Sequence, residues 1–511
     1  MGRIPNLTVI LLLAASFWSQ AGADAREMMR RTYARSAPAE SGSRLRLEAH
    51  NADITIAGTG GDSVAAEAVI EISGGDSAAV EEYLQAVTLV LESDGDGLYA
   101  RLDTPERPEG EVVTAVGFLR GLFYEDGRAN LGLSISTRLR VRVPPRFSVD
   151  LFNRYGDVRV EGLDGELSLD NSSGGVEVRD AGGSLSAAND YGEVKVSRFR
   201  GPLDVSGNST RVTLSEIDGR VNVSTSYKGV SLEGVRGQVT VQSLSGEVTG
   251  RSIEGDCTVR NSYKKVDLEE VSGSLKVVSQ SGSVRLDGVG GNTEIESSYK
   301  PVRVSRVGGN LAISGNSSEV DVNRVEGDAA IITSYKPVRV ENVTGSLTVN
   351  GTSSEVTVES VDRDAVILTS YKPVRVEDVT GNLTVNGNSS RVTVESVEGD
   401  VTVANSYKPV TIKGTSGSIT VRGNHSPIEV SQIPRRMQGG RITLATSGKP
   451  VTLALPSGTG FNASLRTRHG RIQSDFPVTA TADQRSARLK VGDGSVKISI
   501  DAGQDINLRR E

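Results

Sequence analysis

Valine recurs at positions 158, 176, 194, 212, 230, 248, 266, 284, 302, 320, 338, 356, 374, 392 and 410, with isoleucine at 428. Every step is 18 residues, which makes sixteen units with no insertion or deletion between them. A fixed period marks a repeat architecture, because each unit buries its apolar face only by stacking on its neighbours. In the unit that opens at Val338, Val338 and Val340 alternate with polar residues, Gly345 punctuates a turn, and Leu347 and Val349 alternate again. That is the period-2 pattern of two short strands joined by turns. The inward slots are apolar and the outward ones carry Arg, Glu, Thr and Lys. Strands of successive coils must pair in parallel, about 4.7–4.9 Å apart, so sixteen coils give a rod on the order of 75 Å long. The expected fold is all-β: a long parallel β-solenoid (β-helix) of 18-residue coils with capped termini. A right-handed coil is expected from the handedness of parallel crossovers.

The ends of the chain read differently. Residues 1–23 have the form of a signal peptide: Arg3, an apolar core from Leu7 to Trp18 too short for a membrane span, and the small-x-small site Ala21-Gly22-Ala23. No later stretch is apolar enough to span a bilayer, so an exported protein is expected, periplasmic or extracellular, with no transmembrane segment after processing. Residues 24–43 are expected as a flexible lead-in. Residues 44–150 are expected as an N-terminal β region with a short helix around Ala78, Ala79, Val80, Tyr83 and Leu84. A long loop over 103–131 carries the run Phe118 to Tyr124, a candidate cap for the open end. The regular solenoid is placed at 151–435. After Ile428 the ruler slips by five residues, since Val451 fills the slot due at 446, so 436–511 are read as irregular final coils and a C-terminal cap.

The formal net charge of −7 is not the basic footprint of a nucleic-acid binder. Cys257, the single cysteine, occupies a slot held elsewhere by Val239, Leu275 and Leu311, so it is expected as a buried thiol serving as a small hydrophobe.

A second ruler has twice the period. Tyrosine stands at 155, 191, 227, 263, 299, 335, 371 and 407, and serine midway at 173, 209, 245, 281, 317, 353 and 389, with His425 in the last such slot. Two readings are open. In the first, each ring lies over the small serine of the next coil and packs a corner. In the second, the column is a stripe of rings and ammonium groups about 9–10 Å apart, twice the strand spacing, that grips a repetitive polymer. The candidate ligand-binding residues are Tyr227, Lys228, Tyr263, Lys264, Tyr299, Lys300, Tyr335, Lys336, Tyr371, Lys372, Tyr407 and Lys408.

Other columns carry less. Glu341, Glu359, Glu377 and Glu395 stack at the 18-residue step, with Arg339 and Arg375 placed to offset their repulsion. They lack the Asp-rich, glycine-turned loops of calcium-binding repeats. The three histidines, His50, His425 and His469, are scattered. No metal, cofactor or catalytic residue is expected, because loops of constant length build no cleft.

The segments Leu45–Ile56, Leu139–Phe147 with its Pro144-Pro145 turn, Tyr155–Val160 and Gly494–Ile500 together resemble a bacterial family of exported β-strand-repeat proteins labelled putative adhesins, a domain of unknown function. The resemblance implies a solenoid with no known catalytic residues. The resulting expectation is a non-catalytic exported solenoid that binds or spaces components at the bacterial cell envelope, its partner an envelope or extracellular polymer or protein. The alternatives are a polysaccharide-cleaving β-helix enzyme and a purely structural envelope component with a protein partner.

Overall fold

The structure, a computed structural model, describes residues 28–40, 42–74, 77–95, 97–105, 124–125, 128–129, 134–438, 440–477, 479–480 and 484–511. The expected signal peptide and the candidate cap residues Phe118 to Phe123 lie outside the described residues. The chain forms two compact units, one ending at Thr249 and one beginning at Gly250.

In the first unit the 18-residue step is the strand register. Val158 pairs in parallel with Val176, Val194 with Val212, and Val212 with Val230. Residues at the apolar slots are buried and their neighbours are not, as alternation along a half-buried strand demands. The coils also extend below the ruler. Strands β2 (Arg44–Glu48) and β3 (Asp53–Gly58) form a coil under β10 (Ser148–Tyr155) and Val158–Glu161, with Leu45 opposite Val149 and Ile54 opposite Val158. The chain between makes a long excursion and returns in register.

That excursion covers the coil's lower edge. Strand β4 (Ser63–Ser73) runs antiparallel to β9 (Ser134–Val143), and β9 pairs in parallel with β3. Helix α1 (Ser77–Ala86) buries Ala79, Val80, Tyr83 and Leu84. Strand β5 (Thr88–Asp94) pairs antiparallel with β6 (Gly97–Asp103), and β6 adds in parallel to β2. The lead-in expectation is corrected here: β1 (Met28–Pro38) is a strand that pairs antiparallel with β4 along its whole length. Its Arg31 meets Glu81 of α1 at 2.5 Å, and Tyr33 Oη donates to the Leu84 carbonyl. The two-residue strands β7 (Tyr124–Glu125) and β8 (Arg128–Ala129) pair with each other.

The second unit keeps the same step from Val266, opposite Val284, to Val410, opposite Ile428. Each coil buries the two residues at the valine slot and two positions on, a third at the bend, and two in the second strand. For one coil these are Val338, Val340, Val343, Leu347 and Val349, each at most 1% exposed. The turns are tied by a side-chain ladder. The Asn310 amide N–H donates to Asn292 Oδ1 at 2.9 Å, Asp328 N–H to Asn310 Oδ1 at 2.9 Å, and Ser346 N–H to Asp328 Oδ1 at 2.8 Å. Short Asp and Asn side chains recur there because they reach a backbone donor one coil away.

The final strands do not stack in chain order. Val496–Ala502 pairs in parallel with both Arg441–Thr446 and Phe461–Thr467, so it is inserted between them. Ser486–Val491 then closes the edge antiparallel to Phe461–Thr467. Antiparallel pairing at this edge takes up strand groups that would otherwise template aggregation.

Cys257 is 1% exposed, and burial pushes its thiol up to about 12. The native chain is expected to resist a thiol-reactive dye at pH 8 and to label once it is unfolded in guanidinium. Rapid labelling of the native chain contradicts this burial.

Candidate functional site

In the coils of the second unit from Tyr299 onward, two corners turn through the left-handed region. One follows the first strand, at Arg306, Arg324, Asn342, Ser360, Asp378 and Ser396, with φ from 55° to 62°. The other lies on the tyrosine ruler: φ is 68° at Tyr299, 63° at Tyr335, 65° at Tyr371 and 61° at Tyr407. The intervening Ser317, Ser353 and Ser389 have φ of 57–60°. Small polar residues visit this region at little cost, but a bulky aromatic there is an outlier.

The hydrogen bonds explain why the corner alternates at 36 residues. The Tyr335, Tyr371 and Tyr407 amides each donate to a backbone carbonyl of the next coil, at Thr352, Asn388 and Asn424. The amides of Ser317, Ser353 and Ser389 instead donate to the hydroxyls of Ser334, Ser370 and Ser406, the residues just before the tyrosines. The Lys336, Lys372 and Lys408 amides donate two residues back, to Ser334, Ser370 and Ser406. An i+2 to i bond around a positive φ is the strained form of γ-turn. Three tyrosines are therefore held at the apex of a strained turn whose backbone groups are satisfied.

The rings stand out from this corner. In the first unit Tyr155, Tyr191 and Tyr227 are 51–61% exposed; in the second, Tyr263, Tyr299, Tyr335, Tyr371 and Tyr407 are 61–67% exposed. Lys228, Lys264, Lys300, Lys336, Lys372 and Lys408 are all exposed, and among the described residues none joins an ion pair. Corner packing would bury rings; these are mostly in solvent. Tyr407 stacks on His425 of the next coil at 6.0 Å between ring centroids, with the planes 25° apart.

Several charges of the other outward columns are paired. Arg339 Nε meets Glu341 at 2.5 Å and its Nη2 reaches Glu359 at 3.6 Å; Arg375 pairs with Glu377. In the first unit burial opposes the charged form of Glu177, but Arg159 and Arg179 outweigh it and hold the carboxyl below its usual range.

A second feature escaped the sequence reading. A groove of about 540 Å³ in the second unit is lined by Asn386, Asn388, Arg422, Asn424, Arg468 and Asp501, among others. Arg468 and Asp501 reach it through the inserted final strand, which no periodicity announces. Among the described residues no cluster of three His, Cys, Asp or Glu stands together to hold a metal, and no helix is long and apolar enough to cross a membrane.

No family model matches the chain, and no curated protein does. It is similar to a crystal structure described as a "putative cell adhesion protein" from Clostridium sporogenes ATCC 15579, with 8% identity and a TM-score of 0.18, over 57% of this chain and 100% of that one. A likeness at that score carries no argument about function.

Proposed function

We propose that this chain is a non-catalytic, exported, adhesin-like protein of the bacterial cell envelope that binds a repetitive polymer along its tyrosine–lysine column. The observation that carries the reading is the exposed rings, those of Tyr299, Tyr335, Tyr371 and Tyr407 standing at strained corners. Serine holds the same backbone conformation in the alternate coils, so the corner itself does not require an aromatic. Tyr407 stacks on His425, but at the other three corners strain without such a ring contact marks a position selected for contact. A phenol offers an apolar face and a polar tip, and the adjacent ammonium adds a point charge. Successive pairs within a unit stand two strand spacings apart, about 9–10 Å. That suits a polymer whose repeat is of similar length, such as the disaccharide of an extended β-1,4-linked glycan.

Replacing Lys300, Lys336 and Lys372 with serine is expected to lower retention on isolated cell-envelope polysaccharide at least tenfold. Retention of the unaltered chain is expected to weaken as salt rises, because exposed charges are screened over about 8–10 Å at physiological ionic strength. Unchanged retention in the triple variant removes the column from binding. Release of glycan fragments beyond one per protein molecule replaces the binding role with an enzymatic one.

A further inference from the structure

The groove of the second unit follows from stacking order. Its outward column runs Asn386, Ala404, Arg422, Ala445, Asp501, each opposite the next in the strand register. A parallel column runs Asn388, Ser406, Asn424, Ser447. Large residues alternate with alanine and serine, so the small ones form floors and the arginines and asparagines form walls. Arg468 enters from the coil beyond, where its backbone N–H donates to the Ala502 carbonyl at 3.1 Å.

The wall side chains are oriented. Ser406 Oγ donates to Asn388 Oδ1 at 2.7 Å, and Ser447 Oγ donates to Asn424 Oδ1 at 2.9 Å. With their oxygens so engaged, both amides keep their NH2 groups as donors. Arg422 and Arg468 are exposed, and among the described residues neither guanidinium forms an ion pair. Asp501 stands on the same wall, with Oδ1 shut in and accepting no hydrogen bond.

We propose that this groove binds a carboxylated pyranose, a uronic-acid residue of an acidic glycan. Two unpaired guanidinium forks match a carboxylate in bidentate geometry. The asparagine NH2 groups suit ring hydroxyls. The volume falls within the range of small-ligand sites, about 300–1,000 Å³. The site uses none of the column lysines and stands apart from them as a claim.

The test titrates the full chain with β-1,4-trimannuronate, with the same trisaccharide reduced at its carboxyls, and with inorganic phosphate at matched ionic strength. Trimannuronate is expected to bind, and the reduced sugar and phosphate to bind at least tenfold more weakly. Arg422→Ser combined with Arg468→Ser is expected to lower the trimannuronate affinity at least tenfold with the thermal midpoint unchanged. The double arginine-to-lysine variant is expected to fall between, since it keeps charge and loses the fork. The Lys300, Lys336 and Lys372 serine variant is expected to bind this short sugar normally, so failure of the column leaves the groove standing. Equal affinity for the reduced sugar or for phosphate overturns the proposal, as does unchanged affinity in the double serine variant.

Discussion

Gly201→Ala is expected to open the first unit locally, with a loss of about 3 kcal/mol or more in the stability of the adjoining coils. The reason is a stack of glycines at 165, 183, 201, 219 and 237, where consecutive coils approach closely. A Cβ on Gly201 would sit 1.8 Å from the Gly183 carbonyl oxygen, and φ there is 127°. Both the position and the backbone conformation therefore exclude a side chain. Relief needs the two coils to part at this corner. Phe199, Leu203 and Val205, all buried beside it, then lose their seats. In a repeat array each coil is supported by its neighbours, so the damage is local and spreads outward. Hydrogen exchange read by mass spectrometry checks this: protection of 185–188 and 203–206 is expected to fall sharply. Gly60→Ala is the control, since a Cβ there meets nothing within 4 Å and exchange is expected to stay as it was. Equal protection in the two variants would refute the close-approach account.

This corner also shows what a sequence does and does not disclose. The 18-residue ruler translates directly into register, because pairing Val284 with Val302 and Val302 with Val320 is the arrangement that buries every valine at once. The inward and outward sides were legible for the same reason. The glycine column was visible too, but its strictness was not. Gly183, Gly201, Gly237 and Gly255 have positive φ, whereas the same slot takes an ordinary backbone conformation in later coils and holds Arg363 in one of them. A period specifies spacing; it leaves backbone hand and clearance unspecified. The two end regions were less legible still. Asp53-Ile54-Thr55-Ile56 matches Asp157-Val158-Arg159-Val160, and Asp53 Oδ1 accepts the Asp157 amide N–H at 3.0 Å. That motif was the available signal for a coil displaced by 104 residues, but the excursion between breaks the ruler. The insertion of Val496–Ala502 had no such signal, since parallel strand order follows from which edges are free. Arg422, Arg468 and Asp501 converge only through that insertion. The tyrosine column was legible as a column, and its exposure was not, because alternation says nothing about a side chain at a corner.

Replacing Tyr335, Tyr371 and Tyr407 together with serine is expected to lower retention on envelope polysaccharide by roughly 100-fold or more, taking about 1 kcal/mol for each lost ring contact. The same variant is expected to keep or slightly raise the stability of the second unit. Serine already occupies this corner at Ser317, Ser353 and Ser389 with the same φ, and the rings removed are 62–67% exposed. Little apolar area is given up, and a bulky residue leaves a strained turn. The two readouts together separate contact from packing. Loss of retention with unchanged melting places the rings in the binding surface. Loss of stability with unchanged retention makes the column a corner device. Phenylalanine at the three positions refines the first outcome: it keeps the face and removes the hydroxyl, so retention close to that of the unaltered chain assigns the work to ring stacking. A deficit as large as that of the serine variant assigns it to the phenol's hydrogen bond.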